Sequence, residues 1–312
     1  MGVSVKNEFF TRKFVPAAQS LQVEKGMVIN MKIKLGIKTG LLFILTLFTW
    51  IPLWMLFSGS FMGGDELYNY IGSVLNQGEG LASWALLPRY PTLRHYVELL
   101  LDSPKFFVMF WNSCLQVIPV LLGQLGIAVP AAWAFARFEF KGKKLIFLIY
   151  IILMVLPFQV TMVSSYLVLY RLGLVDTHLA LILPNIFSTF PVFIMVKFFK
   201  EVPGSLIEAA KLDGAGEFII FMRIGIPIGS PGILSIITLG FLEYWNAIEQ
   251  PLTFLIRRKE LWPLPLYLPD ISSDNAGAAF VASVFMMFPA LLLFLYGQKY
   301  LEKGIAASGL KE

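Results

Sequence analysis

Six stretches of the chain are apolar over about the length that a membrane demands: residues 39–57, 107–135, 145–167, 179–198, 232–252 and 278–296. About 20 helical residues cross ~30 Å of hydrocarbon, so each stretch predicts one transmembrane helix. The second is unusually long and carries Pro130, and the third carries Pro157. Internal prolines are tolerated in a span where neighbouring helices satisfy the carbonyls they free. The pattern predicts an all-α polytopic membrane protein, with a tail over 1–38, a six-helix domain over 39–300 and a second tail over 301–312. The first tail is polar and mixed, with no compact apolar region and no small-residue cleavage site. It is expected to be a flexible tail rather than a signal peptide.

One polar-punctuated island interrupts this pattern, Pro203-Gly-Ser-Leu-Ile-Glu-Ala-Ala-Lys-Leu-Asp-Gly-Ala-Gly216, between the fourth and fifth stretches. Ser205 with Glu208 three residues on predicts a capping box, and Gly214 predicts the left-handed residue that ends a helix. About two turns remain, too few for a helix to stand alone in water. Leu206, Ile207, Ala209, Ala210 and Leu212 give it an apolar flank that needs something to dock against.

Composition agrees with the pattern: 57% of the 312 residues are hydrophobic and 14% charged, against about 25% charged in soluble domains. The formal charge of +5 comes with no basic stretch interleaved with exposed aromatics, so no nucleic-acid partner is expected. The single cysteine, Cys114, lies in an apolar run and reads as a packed free thiol. His95 and His178 stand apart without cysteines or paired carboxylates, which gives no metal-ligand pattern. Lysines and arginines cluster on one side of a six-span topology: in the first tail, after the second stretch (Arg137, Lys141, Lys143, Lys144), after the fourth (Lys200, Lys211, Arg223) and in the second tail. The positive-inside rule makes that side, and both termini, cytoplasmic. The connection over 58–105 on the opposite side is the longest. Its residues 93–101 suggest a short helix, and it reads equally as a solvated loop or as a segment that meets the membrane surface or an external partner.

Chemistry-bearing motifs are scarce. No G-x-x-x-x-G-K-[ST] loop occurs, so any ATP used for transport is hydrolysed by another chain, and no G-x-S-x-G or H-E-x-x-H pattern supports an embedded enzyme. Among residues at membrane depth, Glu243 is the most informative, because a charge there costs at least about 2.5–3.5 kcal/mol. Glu243, Asn246 and Gln250, at i, i+3 and i+7, are expected to share one helical face. That face either lines a solute pathway or forms a hydrogen-bonding seam between helices. Gln159 and Thr161, after Pro157, pose the same choice, and Glu249 is expected nearer the external interface.

The run Glu208-Ala-Ala-Lys-Leu-Asp-Gly214-Ala, followed by Ile224 and Pro227, resembles the EAA loop of ABC importer permeases. Other segments are similar to the carbohydrate, maltose-type second permease: Asn112-Ser113, Ala134-Phe-Ala-Arg-Phe138, Phe140-Lys-Gly-Lys143, Trp245-Asn246 with Pro251-Leu252, and Gln298-Lys-Tyr-Leu-Glu-Lys-Gly304. The chain departs at Ala247, where many relatives carry Glu. This resemblance covers about 39–312 and implies a type I (MetI-like) permease fold. It implies that Glu208, Ala209, Ala210, Asp213, Gly214, Ala215, Ile224 and Pro227 belong to a loop over 203–227 that docks on an ATPase dimer. Further implied partners are a second homologous permease, an extracellular solute-binding protein, a sugar and membrane lipid, with residues 304–312 also reaching the ATPase. This chain itself would need no cofactor and carry no catalytic residue. Glu208 stays open between a helix cap and a charged contact to the ATPase, and Asp213 is equally open. The rival is a stand-alone ion- or proton-coupled transporter with Glu243 as its ion site.

Overall fold

The computed structural model describes residues 17–77, 81–267 and 275–309, with side chains described over 36–75, 81–267 and 275–300. Among these the chain is helical, without strands. It divides into one unit ending at Met55 and a second running from Leu56. The first helix, α1 (Ala17–Ser60), begins well before the first apolar stretch, so the part of the expected tail from residue 17 onward is helical.

The connection over 58–105 is not a plain loop. It contains α2 (Gly64–Gln77) as well as the expected short helix, α3 (Arg94–Leu101). Asp65 and Glu66 sit in the first turn of α2, where the helix dipole favours negative charge. Leu67, Tyr70, Ile71 and Leu75, at helical spacing, turn its apolar face inward with Met62 and Trp84 onto Ala276 and Phe280. His95 Nδ1 pairs with Glu98 Oε2 at 3.1 Å, and the ring lies so close to Gly277 that a Cβ there would come within 2.2 Å of Nε2.

The spine of the second unit is α4 (Pro104–Arg137), 34 residues passing Pro119 and Pro130 without a break. At 1.5 Å per residue it is about 50 Å long, more than a bilayer core requires. The third apolar stretch is not one straight helix. It forms α5 (Lys143–Val155) and α6 (Phe158–Arg171), bent by 104°. Pro157 supplies no N–H and drives Leu156 to an extended conformation (φ −67°, ψ 123°), which stops α5 there. The fourth stretch is likewise two helices, α7 (Leu179–Ile186) and α8 (Thr189–Glu201). Among the described residues, five helices or helix pairs are then long and apolar enough to span, and the bent α5–α6 pair, taken as one span, makes six.

After α8 come α9 (Gly204–Leu212), α10 (Glu217–Ile220), a π-helical turn over Phe221–Gly225, α11 (Ile226–Trp245), α12 (Glu249–Phe254) and α13 (Ala276–Gly309). α4 packs along α7, α8 and α11, and α11 packs on α13. The α11–α13 approach is close: a Cβ on Gly297 would lie 2.4 Å from Thr238 Oγ1. A core of Trp133, Val192, Met195, Phe199, Phe221 and Ile236 fills the junction of α4, α8 and α11.

Candidate functional site: a coupling segment and a cavity at three helix breaks

The segment between α8 and α11 leaves the span at Val202, which is extended, and enters α9 through Pro203. Helical conformation starts at Gly204, so Ser205 lies inside the first turn and no side chain caps the helix. The capping box expected of Ser205 and Glu208 is therefore not formed. An N-cap residue must be non-helical for its oxygen to reach the amides ahead, and Ser205 is already helical. Glu208 is exposed and has no hydrogen bond or ion pair among the described residues. Of its two readings, the cap is removed.

The other end of α9 follows expectation. Gly214 has φ +80°, and its N–H donates to Lys211 O at 3.0 Å while Ala215 N–H donates to Ala210 O at 2.9 Å. These are the two bonds of a Schellman motif. Asp213, the C-cap, donates its N–H to Ala209 O at 3.0 Å and leaves its side chain exposed. Ile207, Ala210, Ala215 and Ile224 pack against the α4–α8–α11 core. The outer flank is bare: Leu206, Leu212, Phe218, Ile219 and Met222 are exposed, Leu212 to 89%. Lys211 and Glu217 tie the two legs of the turn at 2.5 Å. Pro227 sits in the first turn of α11, just after the π turn.

The second region lies within the spans. A cavity of about 480 Å³ opens where the three helix breaks meet, at Leu156–Phe158, Phe187–Thr189 and the end of α11. Its polar lining includes Thr161, Ser165, Asn185, Ser188, Glu243 and Gln250, and aromatic rings come from Phe158, Phe187, Phe190 and Phe254. Glu243 and Gln250 thus line one cavity, though not from the single helical face expected of them, and Asn246 is not part of its lining. The helix expected over 232–252 ends at Trp245, where Asn246 is the C-cap and folds its Nδ2 back on Leu242 O at 2.8 Å. Gln250 reaches the cavity from α12 instead. No lysine or arginine pairs with Glu243 among the described residues. A bare carboxylate at this depth belongs beside water or solute, not lipid. Thr161 lines the cavity, whereas Gln159 Nε2 bonds Glu249 Oε2 at 2.7 Å and ties α6 to α12.

Sequence reading missed the residues that hold this cavity in shape. Gln124 of α4, 2% exposed, donates Nε2 to Asn185 O at 2.8 Å and to Tyr244 Oη at 2.7 Å. Asn185 Nδ2 in turn donates to Gln250 Oε1 at 2.7 Å. Two to three turns earlier on α4, Asn112 Nδ2 donates to Glu260 O at 2.7 Å, Gln116 Nε2 to Leu261 O at 2.9 Å, and Ser113 Oγ accepts from Leu264 N–H at 2.8 Å. The amides at 112, 116 and 124 recur at multiples of four in an apolar run, a signal that marks one polar helix face. His178 joins them through Gln116, at 3.1 Å. Cys114 is half-buried in the neighbouring apolar cluster.

A bundle of broken spans around a polar cavity, with a short helix pushed outside it, defines a multi-pass membrane permease. The family described as binding-protein-dependent transport system inner membrane component matches residues 124–307, more than half of the chain, which belongs to it. The arabinooligosaccharides transport system permease protein AraQ of Bacillus subtilis is 29% identical over 271 residues, 86% of this chain and 92% of that protein. A probable ABC transporter permease protein of Pyrococcus horikoshii, PH1036, is 32% identical across 71% of this chain and 82% of its own. The galactooligosaccharides transport system permease protein GanQ of B. subtilis is 28% identical, covering 77% and 87%. In fold, the chain matches a chain from the crystal structure of a bacterial ABC transporter involved in the import of the acidic polysaccharide alginate. The TM-score is 0.71 at 22% identity, covering 86% of this chain and 96% of that one. The chain is an ABC importer permease, and the stand-alone transporter reading is not favoured.

Proposed function

We propose that this permease carries a sugar or oligosaccharide, that it pairs with a second, homologous permease, and that an ATPase dimer drives it through α9. The observation that carries the coupling role is the bare apolar flank of α9, held off the spans by the Gly214 turn. Its inner face is already packed on this chain's own core, so the outer face is free for another subunit. The lysines and arginines near it, including Arg137, Lys143, Lys144, Lys200 and Lys211, support a cytoplasmic position for this end and for both termini. An extracellular solute-binding protein would then deliver solute to the opposite face. The C-terminal contact expected over 304–312 falls on side chains outside the described residues.

Support for a sugar comes from the names of the oligosaccharide permeases it resembles and from the cavity lining. Side-chain amides, hydroxyls and Glu243 supply donors and acceptors for a polyhydroxylated solute, and four phenylalanine rings supply flat apolar faces. ATP would be bound by the partner subunit, and this chain would have no catalytic role.

The test is uptake into proteoliposomes that hold this chain with its partner subunits and binding protein, using labelled arabino- and galacto-oligosaccharides. Uptake should require ATP and the ATPase and survive collapse of the proton gradient. Uptake driven by a proton or sodium gradient, without ATPase, would overturn the proposal.

A further inference from the structure

Both ends of the coupling segment rest on one turn of α4. Arg137, the last residue of that helix, donates Nη2 to two main-chain carbonyls, Phe199 O in the last turn of α8 and Val202 O, where the chain leaves for α9. Four residues earlier and on the same face, Trp133 is 4% exposed, with the Arg137 guanidinium 5.6 Å from its ring centroid. The indole packs edge-on to Phe199 at 5.2 Å and against Phe221 at 5.7 Å. It also covers Gly225, where a Cβ would come within 2.7 Å of the ring. Phe221 and Gly225 are the first and last residues of the π turn that returns the chain to α11. The outgoing leg is therefore held by hydrogen bonds and the returning leg by an aromatic wedge, from side chains one helical turn apart.

Two features argue that this junction does more than hold the fold together. Trp133 Nε1 and Arg137 Nε are buried with no hydrogen-bond partner among the described residues, which sets this junction apart from ordinary core packing. The π turn is a wound, irregular backbone of the kind found where helices must adjust. From this junction α4 runs without a break to Gln124, whose amide holds Tyr244 Oη and, at the cavity wall, Asn185 O.

We propose that Arg137 and Trp133 are positioning residues that clamp both legs of the coupling segment to α4, so that a displacement of α9 moves α4 and, through Gln124, the cavity. This rests on the reading that α9 docks on an ATPase. It needs no contact between Arg137 or Trp133 and either ATPase or solute.

The experiment uses the assembled transporter in proteoliposomes, with R137Q, R137K and W133F, and reads three quantities: ATPase copurifying with the chain, ATP hydrolysis, and ATP hydrolysed per solute imported. In R137Q the ATPase should copurify as in wild type while ATP per solute rises about threefold or more, the scale on which residues of a coupling path act. R137K, which keeps the charge and donors, should fall between R137Q and wild type, and W133F should raise the ratio. A merely structural role lowers the amount of transporter and leaves ATP per solute unchanged, and that outcome overturns the proposal. Where R137Q does not reach the membrane, W133F decides, and a wild-type ratio in W133F overturns the clamp. If no ATPase copurifies with the wild-type chain, the coupling reading itself fails and the clamp with it, a result distinguishable from an intact, fully coupled R137Q.

Discussion

Gly214 offers the sharpest test of the coupling segment, because its neighbourhood isolates one physical effect. A Cβ built there meets nothing within 4 Å, so Gly214→Ala creates no clash, and its whole cost is conformational. At φ +80° an L-residue pays roughly 1–2 kcal/mol relative to glycine, and a β-branched residue more. Escaping that strain means giving up the bonds Ala215 N–H to Ala210 O and Gly214 N–H to Lys211 O, at about 1 kcal/mol each. Either way the turn is weakened by about 1–2 kcal/mol, which lowers its population relative to rival geometries by roughly tenfold. The spans, held by buried cores elsewhere, are not touched. Gly216→Ala is the matched control: it too meets nothing within 4 Å, but its backbone is extended at φ −70°, which any residue adopts. Transporter with Gly214→Val should reach the membrane in normal amount yet hydrolyse more ATP per solute, Gly214→Ala should do so less, and Gly216→Ala should match wild type. Full uptake at the wild-type ratio by Gly214→Val would refute the idea that this turn sets the docking geometry of α9.

Three further outcomes follow from the same geometry. Ser205→Ala should leave amide exchange in α9 unchanged, since no cap bond exists to lose, whereas a working cap would cost about 1 kcal/mol. Glu243→Gln should alter uptake while the ATPase still copurifies; loss of copurification instead would make Glu243 a folding residue. The Glu98 carboxylate is held below its usual range first by the hydrogen bond from Arg94 and also by that from His95, so its small contribution to α3 is complete above the ordinary carboxylate pKa and fades as pH falls through the lowered value. Amide exchange in α3 should therefore quicken in acid beyond the intrinsic rate, by well under 1 kcal/mol because the pair is solvent-screened, and E98Q should remove that dependence.

What the sequence made legible divides along the range of the interactions involved. Hydropathy over twenty residues located the apolar stretches, and a lone glycine after a two-turn helix located the Schellman turn, because both are local properties of the chain. The Ser205–Glu208 pattern is local too, yet it misled, since Pro203 starts the helix early and leaves Ser205 inside it. The helix over 64–77 is not among the expected elements although Leu67, Tyr70, Ile71 and Leu75 carry its spacing, because it lies in a connection where a helix is expected over 93–101 alone. The ends of the broken spans depend on partners distant in sequence. Pro157 was visible, but not whether the chain would bend there, and nothing near Gln124 indicates that its amide meets Asn185 and Tyr244. The face expected of Glu243, Asn246 and Gln250 assumed an unbroken helix, whereas α11 ends at Trp245 and Gln250 belongs to α12.

The position of the breaks is itself informative. Pro119 and Pro130 in α4 and Pro289 in α13 sit inside continuous helices, so proline alone does not break a span in this protein. At two of the three breaks, side-chain amides add bonds to carbonyls of the last helical turns: Gln124 at Asn185 O, which also accepts from Ser188 N–H at 3.2 Å, Asn185 Nδ2 at Leu181 O at 2.8 Å, and Asn246 at Leu242 O. Irregular backbone survives at membrane depth only when such partners exist or water reaches it. The cavity wall at α7 therefore ends in a carbonyl that α4, a different helix, also bonds. When α4 shifts, either the end of α7 follows it, or Asn185 O and Tyr244 Oη lose the bond from Gln124. Both outcomes change the polar groups that a solute meets, which gives displacement at the far end of α4 a physical route to binding without any contact between the coupling segment and the cavity.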